Sequence, residues 1–131
     1  MLFGTLVVAA ALAVPRASGG SRTVNVSERD FRIVVSTSQV AAGTVVFRVT
    51  NHGPDAHELI LIRAGGRLPL RADGITVDEK ALERKTVDAL EPAPSGAVRE
   101  LRVQLRPGRY VLLCNMYGHY LGGMHAVVIA R

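Results

Sequence analysis

Seven short stretches rich in β-branched residues, with apolar and polar side chains alternating, limit what this chain can fold into. They are Thr23–Val26, Phe31–Thr37, Thr44–Thr50, Leu59–Arg63, Val98–Leu105, Tyr110–Leu113 and Ala126–Ile129. A period of two sends successive side chains to opposite faces of a strand. Turn signals at Ala42-Gly43, Asn51-His52-Gly53-Pro54, Pro107-Gly108 and Gly122-Gly123 separate the runs, as in a sandwich of short strands. Thr44–Thr50 is the clearest case, with Val45, Phe47 and Val49 on one face. At 131 residues the chain holds one core and is too short for two ordinary domains. The expected fold class is all-β, a two-sheet sandwich.

One region departs from alternation. Residues 64–84 are charged and read as an insertion between two core strands. Within it Asp78 is placed to cap a short helix with Ala81 and Leu82 as its buried side. Lys85–Leu90 return to strand before a loop over 91–96, Glu91-Pro92-Ala93-Pro94-Ser95-Gly96. Arg99, Arg102 and Arg106 sit between apolar positions and are expected on the solvent side of their strand.

The chemistry concentrates after Tyr110–Leu113, in Cys114-Asn-Met-Tyr-Gly-His119-Tyr-Leu-Gly-Gly-Met124. A thiolate, an imidazole and a thioether are soft ligands suited to copper cycling between its cuprous and cupric states. A fourth ligand is needed. Of His52, His57 and His125, the best placed is His57, which opens the strand run Leu59–Arg63 and so would be held by a core element. His52 lies in the turn itself, and His125 should point away from the site if Met124 points in. Met116 reads as packing. Zinc would accept the same donors. A cysteine protease would need an orienting base, a cleft and an oxyanion hole that nothing else in the sequence supplies.

Asn51-x-Gly53-x-x-x-His57 together with Cys114-x4-His119-x4-Met124 resembles the cupredoxins, the small blue copper proteins. The loop spacing is nearest to members of the rusticyanin, auracyanin and sulfocyanin type, and the resemblance spans about residues 23–131. It implies a Greek-key sandwich holding one type 1 copper ion, with His57, Cys114 and His119 in a trigonal plane and Met124 as a weak axial ligand. It also implies an electron carrier and no enzyme, with His119 reaching the surface among Met116, Tyr117, Tyr120 and Leu121 beside the turn glycines Gly118, Gly122 and Gly123. Glu58, directly after His57, departs from the pattern, since an amide or a small residue often stands there. So does the insertion at 64–84. A copper delivery or sensing module is the alternative, although the chain has only three methionines to offer as exchangeable ligands.

Charge and the N-terminus bear on partner and place. The formal charge of +5, from 14 arginines and two lysines against 11 acidic residues, favours a redox partner with an acidic docking surface. The arginines are scattered, without a basic stripe interleaved with aromatics, which argues against nucleic acid. A single cysteine rules out an internal disulfide. Leu2–Val14 is an uncharged apolar run of 13 residues, followed by Pro15-Arg16-Ala17-Ser18-Gly19-Gly20. It is shorter than a membrane span and has a small-residue cleavage pattern at Ala11-Leu12-Ala13, though no basic residue precedes it. Residues 1–22 are therefore expected to be a signal peptide or anchor with its linker, and 23–131 the folded domain. The expected location is extracytoplasmic, with the N-terminal segment offering membrane association.

Overall fold

The computed structural model describes residues 22–65 and 67–131. The expected signal peptide or anchor therefore lies outside the described residues, except that Arg22 already belongs to the first strand. Among the described residues, nine strands and two short helices follow in chain order. They are β1 (Arg22–Arg29), β2 (Arg32–Val35), β3 (Gln39–Val40), β4 (Gly43–Asn51), β5 (His57–Arg63), α1 (Glu79–Glu83), β6 (Thr86–Ala93), β7 (Val98–Leu105), β8 (Gly108–Leu113), α2 (His119–Gly122) and β9 (His125–Ala130). One sheet has the order β2-β1-β4-β7 and the other β3-β9-β8-β5-β6. Pairing is antiparallel except where β1 lies beside β4 and β3 beside β9. The expected sandwich is present.

Alternation decides what each strand buries. Val24 and Val26 on β1, Val45, Phe47 and Val49 on β4, and Leu101, Val103 and Leu105 on β7 face inward. They meet Leu59 and Leu61 from β5, Leu112 from β8 and Val128 from β9, forming one continuous core. Burial of this apolar area drives folding.

Strand β5 is apolar on both faces, and the insertion explains why. Ile60 and Ile62 point away from the main core, where Ile62 and Leu113 pack with Val77 and Leu82 of the insertion in a second apolar cluster. A strand covered on both faces reads as a continuous apolar run. Asp78 does cap α1, its side chain accepting the Ala81 N–H at 2.9 Å, with Ala81 and Leu82 buried.

Two expectations need correction. The segment Glu91–Ala93, read as loop, continues β6 against β5, with His57 opposite Ala93. Arg99 does not face solvent. It shares strand parity with Leu101, Val103 and Leu105, so it turns inward, where its Nη2 lies 3.5 Å from the Glu28 carboxylate. Arg102 and Arg106 are exposed, Arg106 beyond the end of β7.

Candidate metal centre

Three elements deliver the site to one end of the sandwich. His57 is the first residue of β5 and shares the inward parity of Leu59 and Leu61, so a core strand fixes its ring. Cys114 directly follows β8, and His119 opens α2. Met124 lies between α2 and β9. The ligand-capable atoms of His57, Cys114 and His119 all lie within 4.8 Å of one another. His57 Nδ1 is 3.3 Å from His119 Nδ1, which is 3.4 Å from Cys114 Sγ. His57, Cys114 and Met124 are fully buried, whereas His119 keeps 7% of its surface exposed.

The loop carrying three of these residues is knitted by its own backbone. Cys114 N–H donates to the Met124 carbonyl at 3.1 Å, Met124 N–H to the His119 carbonyl at 3.1 Å, and His119 N–H to the Met116 carbonyl at 2.9 Å. Gly123 has φ +119°, a conformation that favours glycine, and a Cβ there would stand 3.0 Å from the Phe31 carbonyl oxygen. The fold of the loop thus depends on contact with the turn between β1 and β2.

Electrostatics suit a neutral or anionic soft donor set. Burial pushes the Cys114 thiol up to about 11, although the backbone N–H groups of Met116 and Glu58 pull it back down. A metal would bind the thiolate and displace that proton. The His119 imidazole is held below its usual range by burial and by the neighbouring His57, which keeps its lone pair available. One thiolate and two imidazoles converging in a buried pocket fit copper by donor chemistry.

The sequence departure at Glu58 has a structural answer. Its carboxylate accepts the Asn115 N–H at 3.0 Å, so the residue after one histidine ties down the residue after the cysteine. Asn115 in turn clasps the insertion, accepting the Val77 N–H at 2.9 Å and donating to the Val77 carbonyl at 3.0 Å. Asn51 plays a comparable part on the other loop. Its side chain donates to the carbonyls of Asp55 and Ala93 and accepts the Gly53 N–H at 2.7 Å.

His52 and His125 are exposed, as expected, and Met116 packs against the main core. Tyr117 is at the surface, whereas Tyr120 packs against the second apolar cluster. Sequence reading missed Asp30, Phe31 and Glu28. Asp30 Oδ1 lies 2.8 Å from His57 Nε2, and the Phe31 ring is 4.9 Å from the His119 ring. No local signal announces that this turn meets residues 27 and 88 positions later. For Glu28 a signal existed and was not used: it shares a face with Val24 and Val26, which makes it a buried acid.

No protein-family model and no curated protein matches the chain. Solved structures do. Auracyanin A, a blue copper protein from Chloroflexus aurantiacus, is 16% identical with a TM-score of 0.62, the match covering 86% of this chain and all (100%) of that one. Reduced auracyanin from Roseiflexus castenholzii is 19% identical, with a TM-score of 0.54 and coverage of 88% and 99%. Rusticyanin from Thiobacillus ferrooxidans is 16% identical, with a TM-score of 0.60 and coverage of 88% and 85%. The chain has the fold of these cupredoxins.

Proposed function

We propose that this protein is a single-copper electron carrier of the blue, type 1 kind, with His57, Cys114 and His119 as the strong ligands and Met124 as the weak axial one. The observation that carries the reading is the convergence of two imidazoles and the chain's one thiol within 4.8 Å, with His57 and Cys114 fully buried, at one end of the sandwich. Bound there, copper supplies a one-electron couple.

The chain's own residues do the rest. Strand β5 and the hydrogen-bonded loop hold the donors in one place, and a site that neither oxidation state can rearrange keeps the cost of electron transfer low. The core residues behind Cys114 exclude water. His119 alone of the proposed ligands reaches the surface, and Tyr117, Leu121 and Phe31 stand exposed at 77, 52 and 44%. That apolar rim allows close approach by a partner, whereas the net charge of +5 favours a partner with an acidic surface. Such redox contacts are small and transient. The reading places the carrier outside the cytoplasm, on the strength of the apolar run Leu2–Val14. Among the described residues, no helix is long and apolar enough to cross a membrane.

The test separates a carrier from a copper-delivery or sensing module. Copper-loaded protein should cycle reversibly between its two oxidation states while retaining the metal against a cuprous chelator, and should exchange electrons rapidly with itself. Rapid loss of copper to the chelator with slow self-exchange would contradict the carrier and favour delivery.

A further inference from the structure

We propose that Asp30, in the turn between β1 and β2, is a positioning residue that sets the tautomer of His57 and biases the site toward its oxidised state. His57 is fully buried and both of its ring nitrogens have a neighbour. Nδ1 faces His119 and the proposed metal position, and Nε2 lies 2.8 Å from Asp30 Oδ1. A carboxylate has no proton to donate, so Nε2 must carry the hydrogen of that bond. In the neutral ring the lone pair is then on Nδ1, where a metal needs it. The other tautomer would aim a lone pair at the carboxylate and an N–H into the site.

Asp30 is itself held in place. Its Oδ1 also accepts the Asp55 N–H at 3.1 Å, and its backbone N–H donates to the Gly53 carbonyl at 3.3 Å. The adjacent Phe31 packs on the His119 ring and against Gly122, where a Cβ would meet the Phe31 Cβ at 3.0 Å. One turn, remote in sequence from both histidines, therefore fixes one imidazole by a hydrogen bond and covers the other. The negative charge of Asp30 beside a ligand favours the more positive oxidation state of a bound metal.

The tautomer claim stands without metal, and the redox claim rests on the copper reading. Substituting Asp30 separates hydrogen bond from charge. In Asp30→Asn the Asp55 N–H still demands an oxygen at the Oδ1 position, so the amide oxygen goes on accepting from His57 Nε2. In Asp30→Ala both bond and charge are lost. Nitrogen-15 NMR of the metal-free full chain should find His57 as the Nε2–H tautomer in the wild type and in Asp30→Asn, and as a mixture in Asp30→Ala. Copper-loaded Asp30→Asn should keep the wild-type spectrum with a higher midpoint potential, and Asp30→Ala should hold copper about 10–100-fold more weakly.

An Nδ1–H tautomer in the wild type, an unaltered tautomer in Asp30→Ala, or an unchanged or lower potential in Asp30→Asn would each overturn the proposal. If Asp30→Ala fails to fold, Asp30→Leu, which also removes the acceptor while keeping the side-chain volume, carries the tautomer test, and Asp30→Asn still decides the redox claim. A colourless copper-loaded wild type would refute the copper reading and the redox claim with it, while the NMR result would still decide the tautomer.

Discussion

Glu28 and Arg99 meet in the interior close to the proposed metal site. The Glu28 side chain is fully buried, and neither of its oxygens has a hydrogen-bond partner among the described residues. Arg99 Nη2 approaches at 3.5 Å, a charge contact without hydrogen-bond geometry, and donates instead to the His57 carbonyl, while Nη1 donates to the Glu91 carbonyl and the buried Nε has no partner among the described residues. Burial pushes the Glu28 carboxyl up to about 7, with Arg99 pulling it down and Glu58 pushing it further up. The folded chain thus retains a proton that the unfolded chain has lost above pH 4.5. Stability contributed by that proton is present at low pH and is lost as pH rises from about 4.5 through 7, on the order of 3 kcal/mol in all. Denaturant titrations of metal-free protein between pH 4.5 and 8 should reveal this loss, and Glu28→Gln should flatten it. Equal slopes in the two proteins would mean that Glu28 is ionised throughout. At this scale the convergence of His57, Cys114 and His119 was legible, because ligand chemistry and spacing are properties of the local sequence. Asp30 was not, because its importance comes from a neighbour that only the folded sheet supplies. Arg99 was misread because its place on the inner face follows from strand parity, which a charged side chain obscures.

Among the elements, β4 and β7, each long enough to show one buried face, were read correctly, whereas the two-residue β3 was not read at all. The ends were less legible. Strand β6 runs on through Pro92 because it is an edge strand, where a missing N–H costs nothing on the open side. The one-turn helix α2 went unseen because four residues are too few to display a helical period. The insertion at 64–84 was recognised, and its capped helix with it, but its task becomes clear only in three dimensions. It covers the outer face of β5 and β8 and grips the Cys114–Met124 loop through Asn115. Asn115→Ala would leave the buried N–H and carbonyl of Val77 without partners, at about 1–3 kcal/mol for each group left unsatisfied. Urea unfolding of the metal-free protein should report that loss, together with faster amide exchange in the loop after Cys114. Wild-type stability in this variant would mean that the insertion is not a brace for the loop.

For the whole molecule, the sandwich and the end of it that holds the site follow from alternation and ligand spacing, and the structure has the fold of auracyanin and rusticyanin. The partner is the least legible part, since a docking surface is assembled from separate loops. Net charge still makes a prediction at this scale. With +5 overall, oxidation of the cuprous protein by anionic ferricyanide should slow as salt is added, because screening weakens the attraction. Oxidation by a cationic cobalt complex should quicken, and the same response to both reagents would rule out long-range charge as a guide to the partner. The central claim, that one copper is bound through the Cys114 thiolate with two imidazoles, is tested most directly by the visible absorption spectrum of the full chain loaded with one equivalent of cupric ion. The account predicts an intense thiolate-to-copper band in the wild type that disappears in Cys114→Ser. A colourless wild type, or a band that survives in Cys114→Ser, would contradict it.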